Sequence, residues 1–342
     1  ESGVKEKLIN AGNIQNSGIE IALNTTPIKN KDWQWDLNLT YTSNRNKIVE
    51  LSPDVTSYIN LDGAANYGNY RIASVAKVGA DYGMLMSDSW IKTDEKTGKP
   101  VVGYTGNYRT IYYKRGGTVK EVGSMLPDFL GTLNTTLRWK NLSLYVLLDA
   151  RFGGYVASYN SRYATAYGFS GETEKYRKGM TWTSQYANSK DKVFTDGFIP
   201  DVVFDQGTTI TTPAGTNEDV SGMTYQEAYE KGFVEPAHLQ SAAYFKNSWS
   251  RGVINDDWFK KLNYIALREV TLSYNVPTNI CSYIGAKSLS VNLTGRNLAY
   301  LLNTAPNHEN PESVRGTGAA QFRMRSFMPY TASYLFTLNA TF

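Results

Sequence analysis

The sequence ends with a segment, Tyr330 to Phe342, in which the polarity of the side chains alternates. One phase is apolar or aromatic and comprises Tyr334, Phe336, Leu338, Ala340 and Phe342. The other phase is mainly polar and comprises Ser333, Thr337, Asn339 and Thr341, with Leu335 as an exception. Because a β-strand places alternate side chains on opposite faces, this period of two predicts a strand with one apolar and one mildly polar face.

A second alternating segment, Trp33 to Thr42, carries aromatic residues at both ends of its apolar phase. That phase comprises Trp33, Trp35, Leu37, Leu39 and Tyr41. Tryptophan and tyrosine favour the boundary between lipid headgroups and hydrocarbon, so this order is typical of a strand that faces lipid. A last strand with a terminal aromatic residue such as Phe342 resembles the closing strand of outer-membrane barrels. The sequence therefore predicts an all-β protein, a transmembrane antiparallel outer-membrane β-barrel.

A third pair of segments predicts a β-hairpin. Gly131 to Trp139 and Leu142 to Phe152 both alternate, and the two residues between them form a tight turn. In the second segment aliphatic side chains share one phase, and the opposite phase contains Ser143, Tyr145, Asp149 and Arg151. Charges on one face and aliphatic groups on the other fit a polar lumen inside an apolar wall.

Further strands are expected at residues 19–24, 71–78, 84–92, 101–102, 264–276 and 289–295. Pro27 is expected to end the first of them. Within 264–276 the apolar phase changes between Leu267 and Val270, which predicts a β-bulge. Short polar turns at residues 28–32, 94–100 and 277–287 alternate with longer loops at residues 43–70, 153–260 and 298–327. Such alternation is typical of outer-membrane barrels.

The longest of these loops, at about residues 153–260, lacks regular alternation but is rich in aromatic residues. Long loops of this kind are usually functional, and the aromatic content argues against disorder. We therefore expect an ordered extracellular loop, with a short helix at residues 224–230. Because aromatic faces stack on sugar rings or peptide side chains, the candidates for ligand contact are Tyr163, Tyr167, Tyr176, Trp182 and Trp249. The alternative is that these rings pack the loop against itself or against a partner.

Composition argues against several other classes of protein. The 35 basic and 31 acidic residues are dispersed and leave a net charge of +4, without a basic stripe for nucleic acid. No run approaches the roughly 18 consecutive apolar residues of a membrane-spanning helix. His238 and His308 lack metal-ligand spacing, and the single Cys281 excludes an internal disulfide. We expect no enzymatic activity, no cofactor and no metal site.

A series of short motifs resembles the SusC/RagA-type TonB-linked outer-membrane transporters of Bacteroidetes. In chain order the motifs are residues 13–20 (NIQNSGIE), 127–129 (PDF) with the hairpin to 152–154 (FGG), 264–274 (YIALREVTLSY), 295–298 (GRNL) and 310–312 (NPE). Their order, together with the terminal Phe342, makes the match specific. One departure lies at residues 112–123, where many members carry a calcium-loop-like stretch and this chain reads YYKRGGTVKEVG. No calcium site is expected there.

The resemblance implies that the chain is the C-terminal part of a barrel of about 22 strands. This chain would supply about ten to twelve of those strands. We expect the plug domain and the TonB-contacting segment of the family to lie outside this sequence, so that residue 1 is not the natural start. An open half-barrel would leave strand edges unpaired in lipid. Residues 330–342 are expected to close the barrel, with Tyr334, Phe336 and Phe342 at the closure.

The resemblance also implies a function. It is the TonB-dependent import of a glycan or oligopeptide across the outer membrane, with a SusD-like surface lipoprotein, TonB and outer-membrane lipid as partners. The residues themselves also fit a self-contained passive porin or adhesin of about ten to twelve strands. A secreted β-sandwich or β-helix lectin is a third hypothesis. Both a glycan and an oligopeptide fit the aromatic residues of the long loop.

Overall fold

The computed structural model describes residues 12–62, 72–105, 110–167, 169–171, 174, 179–238, 259–315, 318, 321–325 and 329–342. The strands are β1 (Gly12–Lys29), β2 (Trp33–Leu51), β3 (Tyr58–Asn60), β4 (Ile72–Lys77), β5 (Met84–Ser87), β6 (Val101–Thr105), β7 (Thr110–Tyr113), β8 (Lys120–Ser124), β9 (Phe129–Trp139), β10 (Leu142–Ser158), β11 (Met180–Thr183), β12 (Val193–Gly197), β13 (Val203–Phe204), β14 (Thr209–Thr211), β15 (Asn217–Asp219), β16 (Phe259–Asn275), β17 (Ser288–Asn303), β18 (Val314–Arg315), β19 (Arg323–Met324) and β20 (Ser333–Thr341).

The helical elements are short. They are α1 (Tyr159–Ala166), α2 (Tyr225–Glu230), α3 (Thr278–Cys281) and the 3₁₀ turns Ser282–Ile284 and Pro306–His308. None of the helices in the described ranges is long and apolar enough to cross a lipid bilayer.

Seven strands form one antiparallel sheet, which we call the wall, in the order β1-β2-β9-β10-β16-β17-β20. The short β18 and β19 attach beside β10. The wall has seven strands in the described part of the chain, whereas about ten to twelve barrel strands were predicted. The number was wrong because the predicted strands at 71–78, 84–92 and 101–102 form β4, β5 and β6, which pair in two smaller sheets.

The registers between neighbouring strands place the apolar phases of the wall on one face. One row of directly paired residues contains Trp33, Trp139, Leu142, Tyr274, Val291 and Leu338. The rings of Trp33 and Trp139 stack with centroids 5.9 Å apart. The polar phases share the opposite face, where the side chains of Asn38 and Asn134 and of Thr271 and Thr294 hydrogen-bond across strands. The wall therefore has an apolar face and a polar face.

The connections between wall strands alternate in length, as predicted. Residues 30–32, 140–141 and 276–287 make the short connections at one end, the turn side. The connections at the other end, the loop side, are residues 52–128, 159–258 and 304–332. At residues 140–141 the predicted tight turn is confirmed, because Trp139 pairs with Leu142 and Lys140 has a φ of 52°.

Several wall strands, among them β1, β2 and β17, run further than predicted. β1 continues past Pro27 to Lys29 through a register shift between Thr25 and Ile28. At such a bulge the missing N–H of proline costs no ladder hydrogen bond. β2 and β17 extend to residues 51 and 303, so the loops predicted to begin at 43 and 298 begin later. These extensions pair with β1 and β16, and the partner strand holds them extended although alternation has ended.

The predicted loop at residues 153–260 contains regular structure. β10 continues to Ser158, α1 follows, and β16 begins at Phe259. The helix predicted at residues 224–230 is confirmed as α2, and the side chain of Thr224 and that of Glu227 form a reciprocal capping box at its first turn.

Residues 91–116 and 180–238 pack together as one unit, which we call the lobe, with residues 106–109 outside the described ranges. In the lobe β6 pairs with β7 and, in parallel, with β13, while β11–β12 and β14–β15 form hairpins. Its core comprises Val102, Ile111, Tyr113, Val202, Phe204, Ile210, Val220, Tyr225, Ala228, Val234 and Ala237. The lobe therefore has its own hydrophobic core on the loop side.

The sheet β3-β4-β5-β8 covers the loop-side end of the wall. Ile72 and Leu85 of this sheet are buried against Ala157, Phe259 and Phe322, which belong to β10, β16 and the segment before β19. This second core fixes the loop-side sheet to the wall strands.

Candidate functional site

Three aromatic rings of the lobe lie nearly parallel to one another. Trp182 of β11 pairs with Phe194 of β12, and their rings stack with centroids 4.8 Å apart at 18°. The ring of His238 stacks on Phe194 at 5.5 Å and 18°. They line a cleft of about 230 Å³, the aromatic cleft, whose wall also includes the rings of Tyr104, Tyr186 and Tyr225 and the polar residues Asn188, Ser189, Lys192 and Glu235. Six rings and four polar side chains thus share one small concave site.

Glu235 is held in place at this cleft by donors of the lobe. Trp182 Nε1 donates to Glu235 Oε2 at 3.2 Å, and the backbone N–H of Gln185 donates to Glu235 Oε1 at 2.5 Å. The hydroxyl of Tyr225 donates to the backbone oxygen of Glu235 at 2.8 Å. A carboxylate has about four lone-pair positions, so the two side-chain contacts leave capacity to accept from a ligand.

The charge state of the cleft follows from burial. Burial lowers the pKa of His238, although Asp196 opposes the shift, so the imidazole is neutral at neutral pH. Burial, with contributions from Tyr104 and Tyr225, raises the pKa of the Tyr186 phenol, which therefore keeps its proton as a donor. The ammonium of Lys192 lies 5.1 Å from the centroid of the Phe194 ring. One cation and one carboxylate, that of Glu235, therefore remain on the lining.

The structure separates the predicted ligand-contact residues. Trp182 lines the aromatic cleft, whereas Tyr163 lies on α1 and Tyr167 directly follows this helix, and the rings of the two tyrosines stack at 6.5 Å. Tyr167 is exposed and Tyr163 is half-buried. Tyr176 and Trp249 lie outside the described residues. Ligand contact by these residues stays a prediction.

Phe194, Glu235 and His238 line the cleft but were not predicted from the sequence. A signal existed for Phe194, because residues 180–183 and 193–197 form a hairpin that brings it to Trp182. Glu235 and His238 follow α2 and reach the cleft through the tertiary packing of the lobe, for example through the bridge between Phe198 and Ala237. Local sequence carries no signal for such a contact.

A buried polar network supports α1. The side chain of Ser158 caps the helix by accepting from the backbone N–H of Ser161, and its hydroxyl donates to Glu309 Oε1 at 2.7 Å. Asn307 Nδ2 donates to the hydroxyl of Ser161 at 2.6 Å. Burial raises the pKa of Glu309, although hydrogen bonds led by that from Ser158 oppose the shift. Asn307 and His308 both adopt positive φ, so the turn that carries Glu309 is strained.

A cluster of charges lies on the polar face of the wall around Arg268. The predicted bulge is confirmed, because the register between β16 and β17 shifts between Leu267 and Glu269. Arg268, the residue at the bulge, donates to Asp149 at 2.6 Å and to both carboxylate oxygens of Glu312 at 2.7 Å. The hydroxyl of Tyr300 also donates to Glu312, at 2.8 Å. This arginine cluster joins the motif at residues 264–274 to that at 310–312.

The predicted closing segment forms β20, which pairs with β17 at one edge of the wall. The side chains of Tyr334, Phe336 and Phe342 are largely exposed, at 80%, 67% and 72%. β1 is the other edge, so barrel closure by these three residues stays a prediction. Elsewhere, no group of three or more His, Cys, Asp or Glu side chains within the described ranges is placed to hold a metal ion.

Comparison with other sequences points to one class of membrane protein. No protein-family model matches the chain. TonB-dependent receptor P26 of Formosa agariphila is 24% identical over 306 residues, which cover 87% of this chain and 26% of the receptor. TonB-dependent receptor SusC of Bacteroides thetaiotaomicron is 28% identical over 159 residues, 43% of this chain and 15% of SusC. The chain thus spans about a quarter of the length of P26.

Comparison with solved structures shows the same fold. The RagAB peptide transporter matches with a TM-score of 0.54 and 14% identity, over 97% of this chain and 30% of the transporter chain. The RagAB peptide importer in the open-open state matches with a TM-score of 0.54 and 15% identity, over 96% of this chain and 29% of the other. The wall therefore has the fold of a section of the β-barrel in these transporters. Its sequence is similar to TonB-dependent receptors, SusC among them, and its fold to RagAB.

Proposed function

We propose that this chain serves in the outer membrane as part of a TonB-dependent importer of a large nutrient, a glycan or an oligopeptide. The observation that carries the proposal is the two-faced wall, whose register gathers apolar side chains on one face and hydrogen-bonded polar side chains on the other. Outer-membrane lipid would contact the apolar face, and the polar face would line the path of the nutrient. The similarity to TonB-dependent receptors supports TonB as the source of energy for import.

The orientation follows from the lengths of the connections. Outer-membrane barrels have short periplasmic turns and longer extracellular loops. The loop side, with the lobe and α1, would therefore face the exterior, and residues 30–32, 140–141 and 276–287 would face the periplasm. A SusD-like lipoprotein would cover the loop side, and TonB would act through a segment outside this sequence. No covalent chemistry is required, because loop contacts select the nutrient.

The experiment that tests this function compares uptake with and without TonB. The native protein would be purified from outer membranes in detergent, its co-purifying proteins identified, and nutrient uptake measured in cells with and without an active TonB system. A co-purifying surface lipoprotein and loss of uptake without TonB are expected. Uptake that continues without TonB, with solute flux into liposomes that contain the purified protein, would instead establish a passive porin.

A further inference from the structure

We infer that the aromatic cleft of the lobe is a capture site for one ring of a neutral oligosaccharide. The inference rests on the proposed function for its biological setting, and it narrows the nutrient to an uncharged sugar chain. Its basis is the combination of a flat aromatic surface, a mixed rim of donors and acceptors, and a lining without net charge.

The aromatic surface has the shape for a flat ligand. Trp182, Phe194 and His238 are inclined to each other by 18° to 30° and stack in part on one another, so the uncovered parts of their faces are nearly parallel. A pyranose ring offers a flat face of C–H groups, and such a face packs on an aromatic ring by apolar contact. A cleft of about 230 Å³ is smaller than the pockets of roughly 300 Å³ and more that hold drug-sized ligands. It therefore suits a single ring at a chain end.

The rim of the cleft can hydrogen-bond to hydroxyl groups in both directions. Glu235 offers carboxylate oxygens whose position is fixed by Trp182 and Gln185. The amide of Asn188 and the ammonium of Lys192 can donate, while the hydroxyl of Ser189 bonds that of Ser184 at 2.8 Å and helps to fix the rim. A sugar hydroxyl is both donor and acceptor, so each of these groups has a possible partner on a sugar ring.

The one cation and the one carboxylate of the lining balance each other, so the cleft has no net charge that selects an ionic ligand. Among the described residues of the cleft, Lys192 carries the positive charge and Glu235 the negative charge, since His238 is neutral at neutral pH. Lys192 already lies over the face of Phe194, where a ligand ammonium would bind, and it would repel a second cation. Glu235 would repel an acidic group in the same small volume. A neutral polyhydroxylated ring meets neither repulsion.

The cleft is backed by the lobe core and is therefore preformed. Tyr225, Val234 and Ala237 line the cleft and also belong to the buried core of the lobe. A rigid site loses little conformational freedom on binding, which favours capture of a flexible oligosaccharide.

The test measures sugar binding by the detergent-solubilised protein in its full native length. The probes are an array of neutral oligosaccharides built from the common α- and β-linked hexoses, sulfated and uronic-acid oligosaccharides, and a set of hexapeptides. Affinity for each array hit is then measured by calorimetry for the native protein and for three variants: Trp182→Leu, Lys192→Ala and Tyr283→Ala. Tyr283 is an exposed aromatic residue on the turn side and serves as the matched control.

We expect binding of a neutral oligosaccharide that Trp182→Leu weakens by about tenfold or more, because the stacking surface is lost. Lys192→Ala removes an exposed rim donor without touching the lobe core, and a loss of about threefold is expected. Tyr283→Ala should bind as the native protein does. Near-UV circular dichroism of the variants shows whether the lobe is folded, and the lysine variant keeps the test valid if Trp182→Leu does not fold.

Three results would overturn the inference: no binding of neutral oligosaccharides, binding confined to peptides or charged sugars, or native affinity in both cleft variants. Failure of the proposed function gives a different result. If a neutral sugar binds through Trp182 but its uptake does not need TonB, the cleft assignment stands and the importer does not. If uptake needs TonB while the cleft variants bind the sugar normally, the importer function stands and the assignment of the cleft is wrong.

Discussion

The wall and the lobe use their apolar side chains in opposite ways. In the lobe, Phe204 and Val102 are 1% and 0% exposed, because short strands and α2 enclose them in a common core. In the wall, Phe336 and Leu272 are 67% and 42% exposed, because the register places them on the outward apolar face. The lobe therefore buries its apolar surface within the protein. The apolar face of the wall can be removed from water only by an apolar surrounding outside the sheet.

The largest predicted effect concerns the lobe core. Phe204→Ala removes a ring that stacks on Tyr225 at 5.6 Å and should lower the stability of the lobe by about 3–5 kcal/mol. Hydrogen exchange measured by mass spectrometry should show lost protection at residues 200–237. The control Phe336→Ala, on the outward face of β20, should leave that protection unchanged. Equal protection in the Phe204 variant would show that the lobe does not depend on its own core.

The next effect tests the outward face of the wall. Leu272→Arg places a charge on the apolar face, two residues from the aromatic row that contains Tyr274, and should cost between about 1 and about 3 kcal/mol in a bilayer, since the cost of a charge falls from the midplane to the interface. Ser273→Arg places the same charge on the polar face of the same strand and should cost much less. Unfolding by denaturant in liposomes measures both. A similar loss of stability in the two variants would contradict the assignment of the faces.

A smaller effect is expected at the arginine cluster. Arg268→Met removes the donors to Asp149 and Glu312 and should destabilise the attachment of the loop segment at residues 310–312 by about 2 kcal/mol. The matched control is Arg296→Met. Arg296 is exposed and, among the described ion pairs, pairs with Glu269 alone. A change in stability below about 1 kcal/mol is therefore expected for this variant. Hydrogen exchange at residues 304–315 measures the protection of this loop in both variants. Equal protection in both variants would mean that the cluster does not hold this loop.

The smallest effect depends on pH. Because burial raises the pKa of Glu309, the folded protein binds this proton more tightly than the unfolded chain does. The favourable contribution is complete below the unfolded pKa and is lost as the pH rises through the folded pKa. Glu309→Gln keeps an acceptor for Ser158 but removes the titration. Relative to the native protein, the variant should therefore gain stability in the α1 region at pH 7 and not at pH 4.

Denaturant unfolding at the two pH values, monitored by hydrogen exchange of α1, measures this change. The control Glu50→Gln makes the same substitution at an exposed carboxylate of β2. A Glu309 variant whose stability differs from that of the native protein equally at both pH values would contradict the role of burial.

The same contrast explains how much could be predicted from sequence. Wall strands alternate because each face meets a different environment, so β2, the β9–β10 hairpin and the bulge at Arg268 were predicted correctly. The loop-side ends of β2 and β17 lack alternation, so the sequence does not predict them. They are extended because they pair with β1 and β16. The lobe and its cleft depend on packing between distant segments, such as Val102 against Phe204, and local pattern does not encode that contact.

The one-sided placement of the long connections has a consequence for how such a protein can diverge. The entropy needed to close a flexible loop grows only with the logarithm of its length, about 0.6 kcal/mol for each doubling. Lengthening the segment between β2 and β9 or between β10 and β16 therefore costs the sheet little, provided that the inserted residues build a core of their own. The lobe meets that condition, so a sheet of this kind can exchange its recognition apparatus while its strand order stays the same.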